Sequence, residues 1–231
     1  MKKRLQLLLG ILISINLTAQ EKAPSTFAIA LNQDNAFGFA PGMYGSFGLN
    51  ENVSLTYYSL FWTRFNNSLE TGIGIGFPAL DGKAYINPSL GFTHGDILSG
   101  TSEKVIGDGI VPNIVAFYTG EYTEAELFFS YYKAIKGVGE GASADFILYW
   151  AYPGLRLTEK ISAGLHYEQF YLTRNDNNES GSEYQWLGAY LKFIAGGKHT
   201  FRLSLGTNMT EANQAIYSSN FAKLSVFLPL L

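Results

Sequence analysis

The side chains available for chemistry are few. The chain has no cysteine, and its three histidines are His94, His166 and His199. A serine nucleophile needs a base within hydrogen-bond reach and a third group to orient that base. His94 is followed by Asp96 and Ser99, so the residue types are present near one another. His166 and Glu168 form a His-x-Glu pair, which suits a proton relay or, more commonly on a strand, a structural hydrogen bond. Gly72-Ile73-Gly74-Ile75-Gly76 has the glycines of a phosphate-binding loop, but it opens no helix, and that reading fails. The stronger pattern is one of charge. The acids Glu70, Glu124, Glu126, Asp145 and Glu168 and the bases Arg64, Lys192, Arg202 and Lys223 fall at alternate positions in otherwise apolar runs.

Those runs have a period of two. In Thr200–Asn208, Phe201, Leu203 and Leu205 share one face, while Arg202, Ser204 and Asn208 share the other. Period two is the signature of a strand with one apolar and one polar side. Twelve such strands are expected, at 26–32, 36–49, 52–64, 68–79, 83–93, 109–119, 122–134, 142–157, 160–173, 183–195, 199–208 and 219–230. A count of ten remains open if one short run is miscounted. From residue 94 onward the connections alternate between long polar loops (94–108, 135–141, 174–182, 209–218) and tight turns such as Gly120-Glu121, Thr158-Glu159 and Gly196-Gly197-Lys198. Short turns on one side and long loops on the other, with an even strand number, describe a closed antiparallel transmembrane β-barrel in meander order. Both termini then lie in the periplasm.

Composition agrees. Charged residues are 15% of the 231 and aromatics another 15%, whereas a soluble domain carries about 25% charged residues. A secreted β-sandwich has the same alternation with its apolar face turned inward, so composition leaves it open. Lys2, Lys3 and Arg4, the apolar stretch Leu5–Leu17 and the small residue Ala19 read as a secretory signal over 1–19, with the barrel over 20–231. Removing three positive charges from a net charge of −3 gives −6, which argues against a nucleic-acid partner. Without cysteine there is no disulfide and no lipid-bearing N-terminal thiol. No cofactor and no metal site is expected.

The polar faces would line a lumen. Glu124, Glu126 and Asp145 lie on neighbouring strands, and Lys192, Arg202 and Lys223 lie on the last three. A turn centred on Gly197 sets Lys192 and Arg202 directly opposite each other. Like charges so placed repel, so an acidic wall facing them or an anionic ligand between them is required. His166 and Glu168 also point inward, and Tyr44, Tyr58, Trp62 and Tyr149 are expected there as rings on which a solute could stack. Arg156 joins the inward bases only if a bulge at Pro153-Gly154 shifts the strand's phase. Twelve tilted strands give a backbone diameter of roughly 24 Å. The inward glycines then suggest a bore of roughly 10 Å. Phe37 and Phe39 are read as outward. Phe61, Trp62, Phe65, Tyr131, Tyr132, Tyr171, Tyr184 and Trp186 at one end, and Phe117, Tyr118 and Tyr122 at the other, are read as interfacial girdles.

The signal ending Thr18-Ala19-Gln20 and the barrel pattern resemble small outer-membrane barrels of Bacteroidetes-type bacteria, and the strand count resembles the nucleoside-specific Tsx-type channels. The likeness is one of architecture across the mature chain and transfers no binding residue. It implies diffusion of nucleosides through a narrow aromatic-lined pore. The terminal Phe227-Leu228-Pro229-Leu230-Leu231 departs from the aromatic last residue usual in such barrels. Barrel phospholipases and lipid A deacylases carry His and Ser two apart on a strand; here Asp96 stands where that Ser would be. The expectation is a passive channel for small polar solutes embedded in outer-membrane lipid and not an enzyme. The candidate lumen residues are Glu124, Glu126, Asp145, His166, Glu168, Lys192, Arg202, Lys223, Tyr58 and Trp62. A closed structural or adhesive barrel binding partners through its loops, and a lipid hydrolase, are the alternatives.

Overall fold

The computed structural model describes residues 24–64, 68–99, 105–210 and 218–231. The signal segment and Phe65 lie outside these. Twelve strands, in chain order, are β1 Thr26–Asp34, β2 Gly38–Gly48, β3 Ser54–Trp62, β4 Ser68–Ala79, β5 Ala84–Gly95, β6 Val105–Thr119, β7 Thr123–Ala134, β8 Ala144–Arg156, β9 Ile161–Asn175, β10 Gly181–Ala195, β11 His199–Asn208 and β12 Asn220–Pro229. Each pairs antiparallel with its sequence neighbours, and β1 closes onto β12 from Ala28–Pro229 to Asp34–Lys223. A closed sheet leaves no edge strand unpaired, which is what lets a barrel stand in lipid.

The start of β1, the end of β12 and the tight connections 49–53, 80–83, 120–122, 157–160 and 196–198 share one rim, the turn end. The opposite rim, the loop end, carries 35–37, 63–64, 96–99, 135–143, 176–180, 209–210 and 218–219 among the described residues. The outer face is an apolar belt: Met43, Ile73, Leu127, Leu165, Leu191 and Leu205 are all strongly exposed. A soluble sandwich would bury these side chains; here the alternation runs apolar-out.

Three expectations about facing are corrected. Phe37 does not point outward but folds into the barrel and is 5% exposed. The Asp34 carboxylate accepts the N–H groups of Ala36 (2.9 Å) and Phe37 (2.6 Å), and Gly38 at φ 68° lets the tip turn inward. Tyr132, Tyr184 and Trp186, read as interfacial, are buried inside the barrel, as is Trp62, which was read both ways. The phase of β8 is also the reverse of that expected. No register shift occurs at Pro153-Gly154; the one beside Asp145 adds Thr173 to β9, and β8 alternates unbroken with its even positions inward. Phe146, Leu148, Trp150, Tyr152 and Arg156 therefore share the inward face, and Tyr149 points outward into a group with Tyr167 and Gln169.

The inward glycines do not leave a bore. Tyr58, Gly72 and Gly91 are consecutive in the β3–β4–β5 register, and a Cβ at either glycine would run into the Tyr58 ring. Gly154 and Gly164 are covered by the Tyr190 ring in the same way. The missing side chains are seats for tyrosines that lie across the wall.

Candidate functional site

The lumen holds two differently built layers. Nearer the turn end, charges on β10 and β11 meet acids on β7 across the barrel. Lys192 and Arg202 are register partners, as the Gly197 turn requires. Their mutual repulsion is relieved because Lys192 pairs with Glu124, and Arg202 pairs with Glu126 at 2.7 Å. Each carboxylate takes further donors: Tyr190 Oη (2.9 Å) and Ser162 Oγ (3.1 Å) on Glu124, Trp150 Nε1 (3.1 Å) on Glu126. The Arg202 guanidinium also lies 3.9 Å above the Tyr152 ring. Phe128, an aromatic among the acids of β7, stacks on Trp150 at 4.0 Å. A cavity of about 70 Å³ is lined by Glu124, Glu126, Tyr152, Tyr190, Lys192 and Arg202, with Phe117 and Tyr118 beside them.

Midway up, Glu168 of β9 is wholly buried and accepts from Lys223 Nζ (2.6 Å), Tyr184 Oη (2.7 Å) and Tyr152 Oη (3.0 Å). Lys223 stands 3.7 Å from Asp34, joining β9, β12 and β1. His166 Nε2 lies 3.4 Å from Glu168 Oε2, out of hydrogen-bond alignment, and neither ring nitrogen has a partner among the described residues. Among the described residues, a second buried carboxylate, Glu70, is met by neutral donors: Tyr58 Oη (2.8 Å), Tyr132 Oη (3.0 Å) and Trp62 Nε1 (3.2 Å).

Above this layer, rings fill the loop end. Phe37 contacts Trp62 of β3 (5.0 Å between centroids), Phe170 of β9 (5.6 Å) and Tyr184 of β10 (5.9 Å). It therefore reaches from the first hairpin to the far wall. Trp186 stacks on Tyr184 (4.3 Å) and Phe221 (4.7 Å), while Leu98 enters from the 96–104 connection.

Of the residues singled out from sequence, Glu124, Glu126, Lys192 and Arg202 come together in one layer, and His166, Glu168 and Lys223 in the next. Tyr58 and Trp62 sit apart, on Glu70. Asp145 joins none of them. It lies at the loop-end rim, salt-bridged to Lys133 (2.6 Å) and Arg174 (3.2 Å), on the opposite face of β8 from its inward neighbour Phe146. Asp34, Tyr152, Tyr190 and Phe37 are site residues that sequence reasoning missed. The signal for Tyr190 was a ring with Gly164 and Gly154 consecutive beside it in register; nothing comparable marked Tyr152.

His94 is fixed in a structural role: Thr71 Oγ1 meets Nε2 at 2.9 Å, and the Gly107 N–H donates to Nδ1 at 3.1 Å. Beyond the wall, Asp176 ties two loops together. Its carboxylate accepts from Ser143 Oγ (2.6 Å) and from the N–H groups of Ser143, Gly139 and Gly141 (2.9 Å each). These bonds, the Ser143 hydroxyl first, hold its carboxyl well below the ordinary carboxylate range.

A closed twelve-stranded barrel with an apolar outer belt and a charged interior is an outer-membrane β-barrel of porin-like architecture. The chain belongs to DUF6733, a family of unknown function, whose model matches residues 1–230. No curated protein matches it in sequence. Among solved structures, the fold is similar to the NanC porin, at TM-score 0.53 and 9% identity over 87% of this chain and 98% of that one. It is also similar to the COG4313 outer membrane channel from Pseudomonas putida F1, at TM-score 0.50 and 8% identity over 92% and 99%. At such identities the likeness is one of fold.

Proposed function

We propose that the protein is a passive outer-membrane conduit for small polar solutes, closed at its loop end in the conformation described. The observation that carries this reading is the pair of cross-lumen salt bridges, Lys192–Glu124 and Arg202–Glu126, beside a cavity near the turn end. Buried ion pairs are a poor way to stabilise an interior, since apolar side chains of similar volume serve as well or better. A barrel that needed only to stand would fill this layer with leucine, as it does its outer belt. Charged side chains across a constriction are instead a means of sorting solutes. The long loops then lie outside the cell and the tight turns in the periplasm. The tyrosines at the cavity make a nucleoside, with its planar base, the first solute to try.

Swelling of proteoliposomes in sugars and nucleosides of increasing size tests the reading. Uptake with a sharp size limit is expected, and a barrel that folds in lipid yet admits nothing under any condition contradicts it. In bilayers, Arg202→Gln is expected to move ion preference toward cations and Glu126→Gln toward anions. A second reading has its own support: the ring-filled loop end and the Asp176 tie between loops suit a closed barrel that binds a partner on its outer surface. That reading requires no conductance from any variant.

A further inference from the structure

We infer that His166 is a proton sensor for the lumen plug, and that its protonation releases Phe37 and opens the barrel in acid. The inference rests on the conduit reading above and names how that conduit is controlled.

A chain of contacts runs from the imidazole to the plug. His166 sits beside Glu168 (3.4 Å), Glu168 grips Lys223 (2.6 Å), and Lys223 stands 3.7 Å from Asp34. Asp34 holds the N–H groups of Ala36 and Phe37, which set the hairpin tip inside the barrel. Glu168 makes a second link through Tyr184, whose ring packs against Phe37. One carboxylate thus secures the plug from two sides, and the imidazole lies next to it with both nitrogens unpartnered among the described residues.

Every wall facing the ring contributes to what a proton would meet. β8 presents Tyr152, whose ring is 4.6 Å away. β9 itself supplies Glu168. β10 offers Trp186 at 6.4 Å, and β12 supplies Phe221 at 4.7 Å together with Lys223. Arg202 of β11 also acts on the ring electrostatically, as does Lys223. A protonated His166 therefore adds a second cation beside Lys223, with Arg202 in the layer below. Glu126 already neutralises Arg202, so the imidazolium must draw on Glu168. Glu168 cannot hold the imidazolium, Lys223 and two tyrosine hydroxyls in one geometry. As Lys223 is displaced toward Asp34, the carboxylate that caps Ala36 and Phe37 is drawn off them. Histidine is the side chain that titrates between about pH 5 and 8.

Two measurements on the purified full chain test this. All three tryptophans of the chain, Trp62, Trp150 and Trp186, lie within the lumen layers just described, and a protonated imidazole quenches a neighbouring indole. Intrinsic fluorescence of the detergent-folded barrel should fall through a single midpoint between about pH 8 and pH 5. In His166→Gln the profile should be flat. A wild-type profile without a midpoint, or the same midpoint in His166→Gln, overturns the sensor. In planar bilayers the wild type should conduct at least roughly tenfold more at about pH 5 than at about pH 8. His166→Gln should lose that ratio, and Phe37→Ala should conduct at both. Equal wild-type conductance at the two pH values overturns the inference. Silence of a folded Phe37→Ala overturns the conduit reading instead, while the fluorescence midpoint still decides whether His166 takes the proton.

Discussion

At the loop end, Phe37, Trp62, Phe170 and Tyr184 close the barrel with rings, while toward the turn end Lys192, Arg202, Glu124 and Glu126 cross it with charges. The strands that supply both layers are the same and alternate in the same way. The rings gain from burial without needing defined partners, so they can part and meet again. The ion pairs are specific: a lost partner leaves an unmatched charge in a partly buried layer. One layer is thus suited to opening and closing and the other to choosing. The network of Glu168, Lys223 and Asp34 lies between them and joins them.

The joint should be the most sensitive point. Glu168→Ala removes the acceptor of Lys223, Tyr184 and Tyr152 together and should destabilise the folded barrel by about 3–5 kcal/mol. Urea unfolding in detergent, followed by heat-modifiable gel migration, measures it. A loss no larger than that of an exposed substitution would detach the two layers from each other.

The charged layer should show a smaller and strictly pairwise effect. A double-mutant cycle of Arg202→Ala and Glu126→Ala should give a coupling of about 1–3 kcal/mol. The same cycle between Arg202 and Glu70, which has no ion-pair partner among the described residues, should give none. Equal couplings would mean that the layer acts through bulk charge and not through matched pairs.

The smallest effect should appear at the rim. The Asp176 carboxyl is held below its ordinary value, so its ionised form is favoured in the folded loops. Its contribution is complete above an unfolded pKa of about 3.9 and is lost as pH falls through the folded value. Asp176→Ala should speed proteolysis within 135–143 at neutral pH while leaving the barrel and its conductance unchanged. A change in conductance would tie the outer loops to the plug.

The strand pattern was legible in the sequence because period-two alternation and turn residues are local. The opposition of Lys192 and Arg202 was legible for the same reason, since one tight turn at Gly197 fixes the β10–β11 register. Their partners were not legible. Which β7 acid lies across the lumen depends on strand number, tilt and stagger, properties of the closed sheet and not of any hairpin. The β8 residues were misread because both of its faces carry rings and apolar side chains, so alternation did not say which face turns inward; the even positions do, placing Tyr149 outside and Arg156 inside. Phe37 was misread because Asp34 and Gly38 turn the hairpin tip off the strand path. The glycines misled for a related reason: Gly72, Gly91, Gly154 and Gly164 seat Tyr58 and Tyr190 from neighbouring strands, so these small residues mark a covered wall and not an open bore.

The most direct test is planar-bilayer recording of Phe37→Ala beside the wild type at neutral pH. If the rings are a plug on an ion-selective conduit, the variant opens steady conductance. Adding Arg202→Gln to it then shifts that conductance toward cations without abolishing it. A folded Phe37→Ala barrel that stays silent would contradict the division of the lumen into a gate and a filter, and would leave a closed barrel acting through its loops.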